Sequence, residues 1–304
     1  MLSLNSSSSN HTIFNKGNIG PCTIVGLCCL VGICGNMGVV MVIARKFRRG
    51  DKNFTLKLVL NLAMADLLSL VTLPVWIHSW LFGWVLGVKA CRFFSYLIIG
   101  SLYCSVLTVT LMSVQRYLAV LYTRQWMKLR GAGERILLAS LWGLSGVLAC
   151  PALVLGDVVG EEMRCRWKYS SVGEMVFTIS METLWGFIVP FTILVTSYGC
   201  LHHKVNDTAF FSSPRLTKLV TSIVVTFFVL WCPLHVVNIM GICGLLLKSE
   251  YLNNICETGW AVTQALTFIN SCVNPFLYAF AFRKRNKKTE QSTQSTQSKI
   301  TEFT

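Results

Sequence analysis

Long apolar segments alternate with short polar connections along the whole chain. Seven such segments cover residues 20–44, 58–82, 93–115, 136–155, 175–201, 219–247 and 260–282. Each holds at least about 20 residues, the length at which an α-helix crosses about 30 Å of hydrocarbon. The polar connections are too short to form a second domain. The pattern therefore predicts an all-α membrane protein, with a bundle of seven transmembrane helices over residues 20–282.

The segments that flank this bundle differ from it and from each other. Residues 1–19 are rich in Asn and Ser and carry N-glycosylation acceptor sequences at Asn5 and Asn10. They lack a cleavable signal pattern, so we expect the first span to direct insertion. Residues 283–304 begin with basic residues and continue with Ser, Thr and Gln. Here we expect a short amphipathic helix directly after the last span, and then a disordered tail that offers phosphorylation sites.

The charge of the chain is strongly positive, at a formal +14. Such a charge can indicate nucleic-acid binding, but the basic residues are concentrated between the spans and argue against that function. They cluster at 45–57, 124–135 and 283–288. Basic residues collect in cytoplasmic loops, so we expect a multi-pass plasma-membrane protein with its N-terminus outside. The same loops are suited to contact acidic membrane lipids.

Two of the 13 cysteines lie where a disulfide is favoured. Cys91 is at the outer mouth of the third span, and Cys165 is in the outer loop after the fourth. Both face an oxidising compartment, so we predict that they pair and pin that loop over the bundle. Cys22 and Cys256 also lie near the outer face, and the sequence leaves open whether they pair.

Ionisable side chains inside the spans are few, and such residues are functional candidates. Asp66 lies near the middle of the second span, where a lone carboxylate needs partners. Polar residues predicted at comparable depth are Asn36, Ser105, Asn270, Ser271 and Asn274. Their oxygen atoms suit a sodium ion, and a structural hydrogen-bonded cluster is the alternative.

Arg116 marks the opposite, inner end of the third span. It follows Cys91 by 25 positions, which is about 37 Å along a helix. There it can contact a cytoplasmic partner, or simply anchor the helix end in the lipid headgroups.

Prolines recur inside the spans, where each removes a backbone hydrogen bond and favours a kink. They are Pro74, Pro151, Pro190, Pro233 and Pro275. Kinked helices can act as pivots, so we expect a protein that changes shape.

Taken together, motifs in every span resemble those of the rhodopsin-like (class A) G-protein-coupled receptors. In chain order they are Gly35 to Val39, Asn61 to Asp66, Cys91, Arg116-Tyr117, Trp142, Pro190 with Tyr198, Phe227 to Pro233, and Asn274 to Tyr278. The resemblance implies a sodium pocket and an activation switch, and it implies a heterotrimeric G protein as partner. Arrestin and receptor kinases would act through the tail, and no cofactor is expected besides the sodium ion. The implied sodium pocket is Asp66, Ser105, Asn270 and Asn274. The implied switch is Arg116, Tyr198, Phe227, Trp231, Pro233, Asn274, Pro275 and Tyr278.

Two acidic positions of this family pattern are missing. The residue before Arg116 is usually an acid, and here it is Gln115. Ser212 and Ser213 stand where a second acid is expected at the inner end of the sixth span. Because the acid–arginine ion pairs of the resting state cannot form, we predict raised ligand-free signalling.

A finer resemblance concerns the ligand. Residues 101–107, 181–184, 231–238 and 268–275 resemble the leukotriene B4 receptors. That resemblance implies that Tyr103 and Glu182 hold the hydroxyl groups of a lipid mediator, with His235 and Asn238 as further polar points. Tyr103 and His235 could instead serve only as packed core residues.

Two arginines of that family are replaced, by Gly156 and Trp260. Other cations must then bind a carboxylate, and the candidates are Arg92, Arg164, Arg166 and Lys168. A rival interpretation pairs Glu182 with the amine of a chemoattractant peptide.

Other membrane classes fit less well. A transporter or channel predicts a charged path or an internal repeat, and neither is seen. An intramembrane hydrolase needs a nucleophile with a base or paired aspartates, whereas Asp66 is the only aspartate in a span. We therefore predict a receptor and not an enzyme.

Overall fold

A computed structural model describes the backbone of residues 19–51, 53–122, 131–160, 163–205 and 214–301. It does not describe the side chains at 120, 198, 201–205, 214–220, 257, 258, 261 and 279–301. The predicted glycosylation sites Asn5 and Asn10, and also Ser212 and Ser213, lie outside the described residues. So does the side chain of Tyr198.

The described chain is a bundle of long helices. They are α1 (Ile19–Arg48), α2 (Phe54–Phe82), α3 (Gly87–Leu121), α4 (Ala132–Ala149), α5 (Pro151–Leu155), α6 (Val172–Thr183), α7 (Val189–Val205), α8 (Pro214–Leu246) and α9 (Glu250–Thr301). A π-helical segment, Leu184–Ile188, joins α6 to α7. The fourth span is thus α4 with α5, and the fifth is α6, the π segment and α7.

Six of the described helical spans are long and apolar enough to cross a membrane. The seventh, within α9, carries Gln264, Asn270 and Asn274 and is less apolar. The helices begin earlier or end later than the predicted spans, because hydropathy detects only the part that lies in hydrocarbon. α3, for example, begins at Gly87 rather than at residue 93.

Prolines shape these helices in different ways. Pro74, Pro233 and Pro275 lie inside α2, α8 and α9, which continue past them. Pro151 instead starts α5 after a break at Cys150. Pro190 follows the π segment, since a proline cannot complete the regular hydrogen bond to the preceding turn. The prolines expected to kink the helices therefore lie in three settings: inside a helix, at the start of a helix, and just after a π-helical segment.

The predicted all-α membrane fold is confirmed, and the structure adds one element that the sequence did not predict, an outer hairpin. β1 (Gly156–Val159) and β2 (Arg164–Trp167) pair antiparallel, with Val158 opposite Cys165. The predicted disulfide between Cys91 and Cys165 is formed and is confirmed, with their Cα atoms 5.6 Å apart. It fastens the hairpin to the outer end of α3. Cys22 and Cys256 are both free, and Cys256 Sγ approaches the carbonyl of Val237 instead.

The backbone conformation predicted for the tail is wrong. α9 continues without a break to Thr301, so there is no separate short amphipathic helix, and the stretch expected to be disordered is helical. The physical reason is visible in the sequence. No proline or glycine follows Pro275 to end the helix.

Two clusters of buried apolar residues fill the bundle. The larger lies toward the inner side and includes Ile43, Leu62, Met112 and Phe227, and the smaller lies nearer the outer side. Close helix contacts need small residues. A Cβ atom at Gly35 would lie 2.8 Å from Cβ of Pro275, so only glycine allows α1 to pack this tightly on α9. Many apolar side chains remain exposed around the bundle, as expected for a surface that faces lipid.

Candidate functional site

A polar cluster lies in the middle of the bundle around Asp66, whose exposure is 0%. Ser105 Oγ donates to Asp66 Oδ1 over 3.2 Å, and Asn274 Nδ2 donates to Oδ2 over 2.8 Å. The hydroxyl of Ser271 also reaches the carboxylate. Three of the predicted pocket residues thus meet, on α2, α3 and α9.

Asn270, the fourth predicted member, makes no hydrogen bond to Asp66 among the described residues. It is nevertheless buried in the same region. The Oδ1 atoms of Asn36, Asn270 and Asn274 are all buried without a hydrogen-bond partner in the described structure. Asn36 uses its amide group to bond the carbonyl of Ser271 over 2.9 Å. Unpaired oxygen atoms around a carboxylate suit a hard cation, so these residues fit a sodium ion.

A second polar cluster, toward the outer side, is centred on Glu182. Its helix α6 begins with a capping arrangement, in which Ser171 Oγ accepts from Glu174 N over 3.1 Å and Glu174 Oε2 accepts from Ser170 N over 2.6 Å. Glu182 lies at the other end of this helix, next to its last residue, Thr183. Glu182 lies close enough to act electrostatically on the hydroxyl of Tyr103.

The outer loop also reaches Glu182. Burial, and then the negative charges of Glu182 and Glu174, raise the pKa of the Tyr169 phenol. Tyr169 follows β2 and packs edge-on against Trp167, with ring centroids 6.4 Å apart. The hairpin fastened by the disulfide therefore holds an aromatic side chain near the carboxylate.

Asn238 completes this cluster from α8. Its amide lies beside the Glu182 carboxylate. On its other side, Trp260 Nε1 of α9 donates to Asn238 Oδ1 over 2.8 Å. Side chains of the fifth, sixth and seventh spans thus meet at one level.

An aromatic stack lies directly below. His235 stacks on Phe187 with centroids 5.0 Å apart, and on Trp231 at 6.0 Å. Trp231 stacks in turn on Phe227 at 5.0 Å. Neither ring nitrogen of His235 has a hydrogen-bond partner among the described residues, although the ring is buried. His235 is therefore not a core histidine whose ring nitrogens are satisfied by hydrogen bonds to the described residues.

The π segment makes room for this stack. A Cβ atom at Gly186 would lie 3.3 Å from Cε1 of His235 and 3.7 Å from Cε1 of Tyr103. Gly186 therefore lets the fifth span approach both side chains closely. Tyr103, His235, Glu182 and Asn238, all predicted as binding residues, are brought together here.

The predicted outer cations lie elsewhere. Arg92 Nε donates to the carbonyl of Gly156 over 2.8 Å, so its guanidinium is bound to the first residue of the hairpin. Arg166 is exposed on β2, opposite Asp157. Lys168 forms a 3.6 Å ion pair with Asp157. Neither Arg92 nor Arg166 contacts Glu182 in the part of the chain that the structure describes.

At the inner end, Gln115 and Arg116 are both buried, with exposures of 4% and 6%. Thr55 Oγ1 donates to Gln115 Oε1 over 3.2 Å and ties α2 to α3. Nearby, Lys57 and Glu134 form a 2.6 Å ion pair between α2 and α4. Tyr278, on α9, is buried, and its hydroxyl has no hydrogen-bond partner within the described residues.

Sequence reasoning missed several of these participants. The sequence marks Trp260 only as the position of a missing arginine, and it gives no signal for Thr55 or Tyr169. For Gly186 the only signal in the sequence is its position, four residues before Pro190.

Comparisons with known proteins agree with this architecture. A family model described as 7 transmembrane receptor (rhodopsin family) matches residues 35–278. Human leukotriene B4 receptor 1 is 35% identical over 257 residues, which are 81% of this chain and 72% of the relative. Apelin receptor B of Danio rerio is 33% identical over 72% of this chain and 68% of the relative. Mouse C-X-C chemokine receptor type 2 is 30% identical over 82% and 71%.

Proposed function

The chain belongs to the rhodopsin family of seven-transmembrane receptors, and we propose that its ligand is leukotriene B4 or a related hydroxy fatty acid. It is a multi-pass membrane receptor that acts through G proteins, not an enzyme. In the proposed function an external lipid mediator activates heterotrimeric G proteins in chemotactic and inflammatory signalling. The plasma membrane, with the N-terminus outside, is the location that the basic inner loops favour.

The observation that carries this proposal is the cluster around Glu182. A carboxylate, a phenol and an amide from three spans converge within an otherwise apolar bundle. Such a site can accept and donate hydrogen bonds to a hydroxyl group. The apolar walls suit an acyl chain, because each buried methylene contributes about 0.8 kcal/mol. Arg92 on α3 and Arg166 on the hairpin are the proposed partners of a fatty-acid carboxylate, whereas Lys168 is already paired with Asp157.

Activation is then a shift between two shapes of the bundle. The ligand must bind the active shape more tightly than the resting one, since a ligand with equal affinity for both leaves the equilibrium between them unchanged. His235 lies between the ligand cluster and Trp231, which stacks on Phe227. A ligand that displaces His235 therefore acts on the segment next to Pro233. Pro233 and Pro275 are the proposed pivots, and Arg116, Tyr198 and Tyr278 the proposed inner rearrangement that opens a groove for the G protein.

The Asp66 cluster is proposed to bind sodium and to stabilise the resting shape. Its donors are oxygen atoms of Asp66, Ser105 and Asn274, with Asn270 near them. Arrestin and receptor kinases remain proposed partners of the tail.

A peptide ligand is the second candidate. A buried carboxylate can pair with an ammonium group as well as accept from a hydroxyl. Relatives that are 30–33% identical include receptors named for a chemokine class and for apelin.

A signalling assay in transfected cells tests the proposal. Wild type, Glu182→Ala and Tyr103→Phe are exposed to leukotriene B4, to other hydroxy fatty acids and to chemoattractant peptides, with surface expression measured for each. We expect wild type to respond to a hydroxy fatty acid, and each variant to lose about fivefold to 150-fold in potency, as expected for lost hydrogen bonds of about 1–3 kcal/mol. A wild type that is silent to every lipid and responds to a peptide contradicts the proposal.

A further inference from the structure

The side chain of Trp260 controls which way the amide of Asn238 points. Its indole Nε1 lies 2.8 Å from Asn238 Oδ1. An indole N–H can donate a hydrogen bond but cannot accept one. The amide must therefore turn its oxygen toward Trp260 and its NH₂ group away. Asn238 is only 3% exposed, so bulk water does not favour the reverse orientation.

The NH₂ group that is turned away faces the ligand cluster. Asn238 lies beside the carboxylate of Glu182. Its Nδ2 atom is nevertheless buried without a completed hydrogen bond in the described structure. The structure thus presents a donor from α8 next to an acceptor from α6, with bonding capacity left on both.

Close packing holds Trp260 in this position. A Cβ atom at Gly241 would lie 3.1 Å from Cζ2 of the indole, so α8 and the ring are already in contact. One at Gly259 would lie 3.2 Å from Cγ2 of Val237. Because small residues bring α8 and α9 together here, the indole has little freedom to leave the amide.

We propose that Trp260 is a positioning residue that makes the Glu182 site selective for a hydroxyl group. The inference rests on the proposed function, in which a lipid hydroxyl binds at Glu182. A hydroxyl can donate to the Glu182 carboxylate and accept from Asn238 Nδ2 at the same time. A ketone only accepts, so it leaves the carboxylate without a donor. An ammonium group only donates, so it leaves the amide NH₂ without an acceptor.

The test compares two lipids that differ only in this group. The probes are leukotriene B4 and analogues in which a hydroxyl is oxidised to a ketone. A buried polar group left unpaired costs about 1–3 kcal/mol, so we expect wild type to prefer the hydroxyl form by about fivefold to 150-fold. Trp260→Phe keeps an aromatic ring against Gly241 and removes the N–H. In this variant the preference should shrink at least about fivefold, chiefly through weaker response to the hydroxyl lipid.

A matched control and a double variant separate orientation from general damage. Trp185→Phe makes the same change at a membrane-facing indole that is 36% exposed, and it should leave the preference unchanged. In an Asn238→Ala background there is no amide to orient, so adding Trp260→Phe should not change the preference further. Labelling of receptor at the cell surface confirms that each variant is folded.

The outcomes are distinct. If Trp260→Phe weakens both lipids equally, or alters the preference equally with and without Asn238, the indole is only a packing residue and the inference fails while the proposed function stands. If wild type responds to no hydroxy fatty acid, the proposed function fails, and the inference falls with it.

Discussion

Replacing Gln115 by glutamate is expected to lower ligand-free signalling. Glutamate has the shape of glutamine and differs by carrying a charge, so it can still accept the hydrogen bond from Thr55. The charge would lie next to Arg116, in an inner mouth where both residues are about 95% buried. Opening of that mouth admits water, which weakens an ion pair. The new pair therefore stabilises the resting shape more than the active one.

The size of the effect follows from the burial of the pair. Hydrogen bonds to charged groups contribute about 1.5–3 kcal/mol, against about 0.5–1.5 kcal/mol for neutral ones. A difference of about 1.4 kcal/mol is tenfold in an equilibrium constant. When the active population is small, ligand-free activity falls by the same factor, so we expect a decrease of about tenfold for Gln115→Glu.

Nucleotide exchange on a G protein, measured without ligand and normalised to receptor amount, gives the readout. Thr55→Val serves as the control for the hydrogen bond between α2 and α3. The effect of Gln115→Glu should persist in that background, because it arises from charge beside Arg116. Unchanged ligand-free exchange in Gln115→Glu, or a decrease that disappears with Thr55→Val, would refute the reasoning.

Three further predictions concern the bundle. Gly35→Ala should lower the free energy of unfolding by about 1–3 kcal/mol, because the added methyl group overpacks α1 against α9. Gly38→Ala, which has open space around it, should not. Equal shifts of the melting temperature in the two variants would argue against the close contact at Gly35. Lys57→Met should lower the melting temperature of the receptor, since it leaves the buried Glu134 carboxylate without its ion-pair partner. Adding Glu134→Gln should restore part of the lost melting temperature in the same assay. Asp66→Asn should abolish any effect of sodium chloride on agonist binding, with an impermeant organic chloride as the ionic control.

The seven spans could be predicted from the sequence because hydrocarbon imposes a length and a composition on every helix that crosses it. Cys91 and Cys165 could be paired because both face the same outer compartment. The convergence of Asp66, Ser105 and Asn274 was also expected, since lone buried carboxylates need partners.

The remaining features depend on how helices rotate and approach each other, which apolar periodicity does not specify. The contact between Trp260 and Asn238 requires the close approach of α8 and α9 at Gly241. The bond from Thr55 to Gln115 requires a particular rotation of α2. The outer hairpin was missed because its two strands have only four residues each and follow a helical segment directly. The helical tail was missed because a polar composition argued for disorder, although nothing in it ends a helix.

Direct binding of labelled leukotriene B4 to the purified receptor in lipid nanodiscs tests the central claim, that a polar cluster enclosed by the bundle recognises a hydroxylated lipid. The account predicts saturable binding to wild type, with affinity reduced at least about tenfold in Glu182→Ala by the loss of a charge-assisted hydrogen bond. Saturable binding of equal affinity to wild type and Glu182→Ala, or no saturable binding of any hydroxy fatty acid to wild type, would contradict it.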